Sequence, residues 1–305
     1  MSDKTAAPLD DELEGASLIE RAAARLAAES RGPRGARTAA ATSGTVGTEL
    51  RPSRAEEGGA SDVVRLDLDR LEQAGYLTPS RMRTRLAEEI RQVKRNVVQT
   101  FWYQEVERSN LIMVSSASPG EGKSFISLNL AISLACEVDF HVLLVDADFE
   151  RPVVFDRLGI ANEKGLMDLL KDESIDMSAI IKRTNIERLS LIGPGSRHDM
   201  STELLASQRM LQITQEMADR YPDRLIIFDT PPLLACSEPA VLAELMGQAV
   251  LVVEADRTPR EMIERSLALV PASCKVGIVL NKSRPGLGNE AYGYYGYKGY
   301  RQEDR

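Results

Sequence analysis

The stretch that most constrains the fold of this chain is residues 111–135, LIMVSSASPGEGKSFISLNLAISLA. An apolar β-type run, Leu111 to Val114, leads into a loop of small residues. A helix-forming segment then begins at Lys123, with Leu128, Ile132 and Leu134 marking its apolar side. The loop reads Ala117-Ser118-Pro119-Gly120-Glu121-Gly122-Lys123-Ser124. It has the spacing of a phosphate-binding loop with Ala in place of the first Gly. Backbone N–H groups that wrap phosphate oxygens require small side chains, and Gly120 and Gly122 permit the unusual backbone angles involved. The N-terminus of the following helix adds its dipole, Lys123 is placed to reach the β- and γ-phosphates, and the Ser124 hydroxyl to bind Mg²⁺. Such a loop works only between a strand and a helix, and the sequence supplies both.

From Leu111 onward the chain alternates strand-like and helix-like segments. The strand-like runs are Leu111–Ser115, Val142–Val145, Leu189–Ile192, Leu225–Phe228, Ala249–Val253 and Val276–Leu280. Most are continuous Val, Ile and Leu, as strands buried on both faces must be. Helical segments such as Thr202–Arg220 and Pro259–Val270 lie between them. The alternation predicts an α/β fold: a mostly parallel sheet of the P-loop NTPase type with helices on both faces. Ligands of such sheets bind at the carboxyl ends of the strands. That is where the loop lies.

Those ends also deliver carboxylates. Val142–Val145 runs into Asp146-Ala147-Asp148, with Arg151 close behind, and Leu225–Phe228 runs into Asp229-Thr230-Pro231-Pro232. Acidic groups directly after buried strands are costly unless a cation meets them, and Mg²⁺ carried on ATP phosphates is such a cation. A third strand end carries Asn281, whose amide is a candidate reader of the adenine edge; Asn also simply favours turns. Arg197 and His198 fall in the loop 193–202, which reads as a solvated loop within reach of the phosphates. His141 opens a strand and reads as structural.

Outside this unit the composition changes. Residues 1–60, dominated by Ala, Arg, Gly, Ser and Glu, read as mostly disordered, apart from a short helix over 17–27 with Leu18, Ala22 and Leu26 on one face. Residues 61–284 form the expected ATP-binding domain. It includes a charged helix over 80–98 in which Glu88, Arg91, Lys94 and Arg95 recur at helical spacing. That helix reads either as a solvated face or as an interface. Residues 285–305 form a flexible tail that holds five of the eight tyrosines, Tyr292, Tyr294, Tyr295, Tyr297 and Tyr300, separated by glycines. Nothing in the tail can pack a core, so the tyrosines read as phosphate acceptors beside an ATP site. A net charge of −8 argues against a nucleic-acid partner. The three cysteines are scattered and read as buried thiols in a reducing compartment. No apolar run has transmembrane length and no signal peptide is evident, so the expected location is the cytoplasm.

Taken together, these residues resemble the bacterial tyrosine kinases, and within them the exosortase-associated tyrosine autokinases of exopolysaccharide operons. Ala117–Ser124 matches the first Walker motif of that family, Asp146-x-Asp148 the second and Ile226-Ile227-Phe228-Asp229-x-x-Pro232 the third. The resemblance implies a non-specific protein-tyrosine kinase that uses ATP and Mg²⁺ and phosphorylates its own tail. Its nucleotide cradle would run from Ala117 through Ser118, Pro119, Gly120, Glu121, Gly122, Lys123 and Ser124 to Phe125. Ser124, Asp148 and Asp229 would hold Mg²⁺ directly or through water, and Asp146 would act as the base on the tyrosine hydroxyl. The charged helix corresponds to a Glu-x-x-Arg-x-x-Arg motif that assembles rings, here with Lys94 in the third position and Arg95 beside it. The family also implies a separate transmembrane chain-length-determinant (Wzz-like) activator, a cognate tyrosine phosphatase and a peripheral position at the inner face of the cytoplasmic membrane. Two alternatives stand beside this reading. One is a partitioning-type ATPase switch of the ParA/MinD kind, against which Ser118 counts because those proteins carry a signature lysine there. The other is a nucleotide-binding adaptor of the export machinery.

Overall fold

In a computed structural model, the described residues are 63–103, 106–220 and 223–283. The helix expected over 17–27 and the five tail tyrosines lie outside them. The strands are β1 (Leu111–Ser116), β2 (His141–Asp146), β3 (Lys182–Arg183), β4 (Leu189–Ile192), β5 (Arg224–Asp229), β6 (Gln248–Glu254) and β7 (Lys275–Asn281). They form one sheet in the order β3-β4-β2-β5-β1-β6-β7. Every pairing is parallel except that of β3 with β4. The expected mostly parallel sheet is therefore the fold.

Successive residues of a strand point to opposite faces, so a strand covered on both sides must be apolar throughout. Ile112 and Val114 of β1 join one core with Leu144 and Ile227, while Leu111 and Met113 join the other with Val145 and Phe228. Each such side chain, fully buried, contributes about 1.5–3 kcal/mol. The helices are α1 (Leu68–Gln73), α2 (Arg85–Tyr103), α3 (Lys123–Ala135), α4 (Val154–Leu158), α5 (Leu166–Lys171), α6 (Ser201–Leu205), α7 (Gln208–Arg220), α8 (Glu238–Ala243) and α9 (Arg260–Leu267). Helix α3 lies between the sheet and α2 and is buried on nearly all sides. That explains why its sequence mixes Leu and Ile with Ser and Asn instead of showing a polar stripe. Its buried Asn129 is satisfied at both ends, donating to the Phe125 carbonyl (2.7 Å) and accepting from Leu77 N–H (2.7 Å).

Three segments depart from the sequence reading. The helix expected over Thr202–Arg220 breaks into α6 and α7, because Ser207 donates to the Leu204 carbonyl (2.6 Å) and accepts from Met210 N–H (3.3 Å). Serine competes for backbone groups in this way and restarts the helix. The charged helix starts at Arg85 rather than Ser80, since Pro79–Arg81 forms a 3₁₀ turn and the Thr84 hydroxyl accepts from Ala87 N–H (3.2 Å). β7 is an edge strand, paired with β6 alone. Ile278 and Leu280 are 55% and 62% exposed, contrary to burial on both faces. Among the described residues, no helix is long and apolar enough to cross a membrane.

Candidate functional site

Sheet order and register bring the site together. β1 sits between β5 and β6, and β5 between β1 and β2. The phosphate loop therefore leaves the middle of the sheet beside the two strand ends that carry carboxylates. Asp146 and Asp229 occupy matching register positions on β2 and β5. Gly120 and Gly122 have φ of +87° and +104°, in the left-handed region that glycine tolerates. Gly122 is needed twice over: it caps α3, and a Cβ there would collide with the Asn281 side-chain amide.

Lys123 is the hub of the site. Its Nζ lies 2.7 Å from Asp148 Oδ2, 3.8 Å from Asp229 Oδ2 and 3.3 Å from the Ser124 hydroxyl. Burial works to lower its pKa, but Asp229 and Asp148 more than offset that, so the ammonium is held charged. Asp229 is fully buried. Its Oδ1 accepts from the Ser127 hydroxyl (2.9 Å), while its Oδ2 has no hydrogen-bond partner. Burial pushes this carboxyl upward, against the pull of Lys123 and of the Ser124 and Ser127 hydroxyls. Asp146 is pushed up to about 8, by burial first and then by the neighbouring Asp229. Backbone N–H groups of Asp148 (3.4 Å) and Val154 (3.1 Å) pull the other way.

Three carboxylates thus share one ammonium. A buried carboxylate oxygen without a partner is costly, and a hard cation would satisfy it. The donor set, two carboxylates and the Ser124 hydroxyl, suits Mg²⁺, which prefers oxygen and keeps positions open for phosphate. Among the described residues, no three His, Cys, Asp or Glu side chains form a metal site by themselves. A cation here would be completed by the nucleotide.

The loop is also tied from behind, through Glu121 and Asn281 of the expected nucleotide site and through Thr258, Lys282 and Glu254, which the sequence does not single out. The buried Glu121 accepts from Ser118 N–H (2.9 Å) and from the Thr258 hydroxyl. Asn281 donates to the Glu121 carbonyl (2.8 Å), and Lys282 donates to the Gly120 carbonyl (2.7 Å) and to Glu254 (2.9 Å). The signal was present in Glu121 itself, since a carboxylate inside a phosphate loop needs a partner that turns it away from the anion.

Ala117 is buried, and Pro119 is exposed at the loop tip. Phe125 is half-buried, with its ring 5.3 Å from that of Tyr76. On α2, Arg91 pairs with Glu88 one turn away and donates to the Met82 carbonyl (3.1 Å). Glu88 and Arg95 are exposed, but Lys94 is buried and paired with Glu137 of its own chain. His141 lies at the start of β2, the far end from the loop, 3.3 Å from Asp223. Of the free cysteines only Cys274 is buried; Cys136 and Cys236 are half-buried. Arg151 and Arg197 are exposed at the rim, where Arg151 N–H donates to Asp148 (3.0 Å) and Arg197 to the Glu150 carbonyl (3.4 Å).

A family model described as an AAA domain matches residues 109–257. The chain is 33% identical over 190 residues to the tyrosine-protein kinase YwqD of Bacillus subtilis, covering 61% of this chain and 78% of that protein. It is 30% identical over 194 residues to the tyrosine-protein kinase wzc of Salmonella typhimurium, where the match covers 63% of this chain but only 26% of the longer relative. Among solved structures, it resembles the kinase domain of Escherichia coli tyrosine kinase ETK at 29% identity and a TM-score of 0.57. That match covers 64% of this chain and 76% of the other.

Proposed function

The chain belongs to the bacterial tyrosine kinases, and from that premise we propose that it is an ATP-dependent protein-tyrosine autokinase acting on the tail of another copy. The observation that carries this reading is the convergence of Lys123, Asp148 and Asp229 beneath the phosphate loop, with Asp229 Oδ2 buried and without a hydrogen bond. In this reading the loop N–H groups and the α3 N-terminus bind the ATP phosphates. Lys123 turns from Asp148 to the γ-phosphoryl oxygens, while Ser124, Asp148 and Asp229 would hold Mg²⁺, which when bound would neutralise charge on the phosphates. Asp146 takes the tyrosine proton as the phenol oxygen bonds to the γ-phosphorus and the bond to ADP breaks. A base must be ionised, and a carboxyl raised to about 8 is mostly protonated at neutral pH. A cation held between Asp148 and Asp229 would pull it back down and favour the ionised base.

The acceptors are Tyr292, Tyr294, Tyr295, Tyr297 and Tyr300 in the tail. Asn281 would contact the adenine after its hold on the loop is released. The physiological role is control of exopolysaccharide polymerisation or export. The kinase would act at the inner face of the cytoplasmic membrane through a separate transmembrane chain-length-determinant activator, with a phosphatase to reverse it. Assembly would use the Glu88–Arg91 face of α2 with Arg95, because Lys94 is spent on Glu137. The direct test is incubation of purified protein with Mg·ATP, probing for phosphotyrosine with and without residues 290–305. Label that is absent from the intact chain, or unchanged by truncation, refutes the reading.

A further inference from the structure

Two cationic side chains at the mouth of the site take no part in the phosphate chemistry described above. Arg151 follows Asp148 by three residues, and its backbone N–H is fixed on the Asp148 carboxylate (3.0 Å). Arg197 comes from the loop after β4, and its guanidinium is anchored on the carbonyl of Glu150, the residue preceding Arg151 (3.4 Å). The two arginines thus come from separate parts of the chain, and the Arg197 guanidinium is held on the backbone directly beside Arg151, next to Asp148. Both are exposed, and among the described residues neither forms an ion pair. Other rim cations are spent on local carboxylates: Lys282 and Arg257 on Glu254, Lys182 on Glu163.

Their exposure separates them from the nucleotide cradle, where Lys123 is buried. Groups that bind phosphates in the cradle are enclosed by the loop, whereas groups on the rim meet whatever enters with the acceptor tyrosine. A guanidinium presents a planar fork that matches a carboxylate. In an extended peptide, side chains two residues apart lie on the same side, roughly 6.5–7 Å from each other. A carboxylate two residues before a tyrosine therefore lies on the same side of the peptide as the tyrosine, one strand repeat away. The chain carries such a pair, Glu290 and Tyr292.

We propose that Arg151 and Arg197 form a subsite for a carboxylate flanking the acceptor tyrosine, which directs the kinase to acidic tyrosine segments and, in a second copy, to Glu290-Ala-Tyr292. The proposal rests on the kinase reading and adds to it the class of substrate.

The test uses the full chain with two peptides of residues 287–297, one native and one with Glu290→Gln, with phosphorylation of each followed by mass spectrometry. The native peptide is expected to have a KM lower by about two- to fivefold, the range of an exposed ion pair. Arg151→Gln and Arg197→Gln should each shrink that preference, the double variant should remove it, and Arg197→Lys should retain part of it. A merely structural role would lower turnover on both peptides alike and leave their ratio unchanged. Equal KM values in the wild type overturn the subsite while leaving the kinase reading standing. A preference that survives in the double variant, or arginine variants that raise the KM for ATP instead, also overturns it and assigns the anion to the nucleotide. If the wild type phosphorylates neither peptide nor its own tail, the kinase reading fails and the subsite with it.

Discussion

Replacing Lys123 with Met should do more than abolish phosphoryl transfer; it should make stability depend on pH. Lys123 is 2.7 Å from Asp148 and 3.8 Å from Asp229, and these contacts are its visible role in the folded chain. Removing one partner of a buried ion pair costs about 3–5 kcal/mol when the other charge is left behind. The carboxylates evade part of that cost by binding protons. Asp146 and Asp229 are already raised above the ordinary carboxylate range, mainly by burial, and loss of the lysine raises Asp229 further. The sign follows from linkage. A carboxyl whose folded pKa lies above its unfolded value binds more protons in the folded state, so stability falls as pH rises from the unfolded pKa through the folded one. The variant should therefore lose about 1 kcal/mol or less near pH 5 and about 2–4 kcal/mol near pH 8. Millimolar Mg²⁺ should restore part of the loss at pH 8. Urea unfolding at both pH values, with and without Mg²⁺, measures this. An equal deficit at pH 5 and pH 8 would show that Lys123 does not balance those carboxylates.

Three further predictions follow from other parts of the site. Binding of Mg·ADP at pH 7 should release roughly half to one proton as Asp146 falls from about 8, visible by calorimetry in buffers of different ionisation enthalpy; no buffer dependence would contradict this. Glu121→Ala leaves Ser118 N–H and the Thr258 hydroxyl without their partner, so stability should fall by about 1–3 kcal/mol and the KM for ATP should rise, and unchanged values for both would remove Glu121 from the loop's support. Reversing both charges of the α2 pair, Glu88→Lys with Arg91→Glu, preserves the pair within the helix but should shift the species seen in light scattering, whereas a wild type that is monomeric at high concentration with ATP would rule out the interface.

Much of this site can be read from the sequence because its parts are local. Ala117–Ser124 is one continuous loop, and Asp146, Asp148 and Asp229 follow directly on apolar strands, so spacing alone places them at the same end of a parallel sheet. What could not be read depends on contacts between distant segments. The link from Glu121 to Thr258 joins residues 137 positions apart, and that from Lys94 to Glu137 spans 43. No periodicity encodes either. The break at Ser207 was hidden because a serine within a helical pattern can equally point to solvent. The exposure of Ile278 and Leu280 was hidden for another reason: an edge strand with apolar residues has the same composition as a central one. Sequence also placed Arg151 and Arg197 near the site without showing that Arg197 is anchored on the backbone beside Arg151.

The central claim is that this site phosphorylates the tail of a second copy. It is tested most directly by mixing full-length Lys123→Met protein with an active partner truncated at residue 289, adding Mg·ATP and mapping phosphotyrosine by mass spectrometry. Label is expected on Tyr292, Tyr294, Tyr295, Tyr297 or Tyr300 of the inactive chain, and none when the active partner also lacks Asp146 or Asp229. An inactive chain that stays unlabelled at all five positions, while intact wild type labels its own, would contradict transfer between copies.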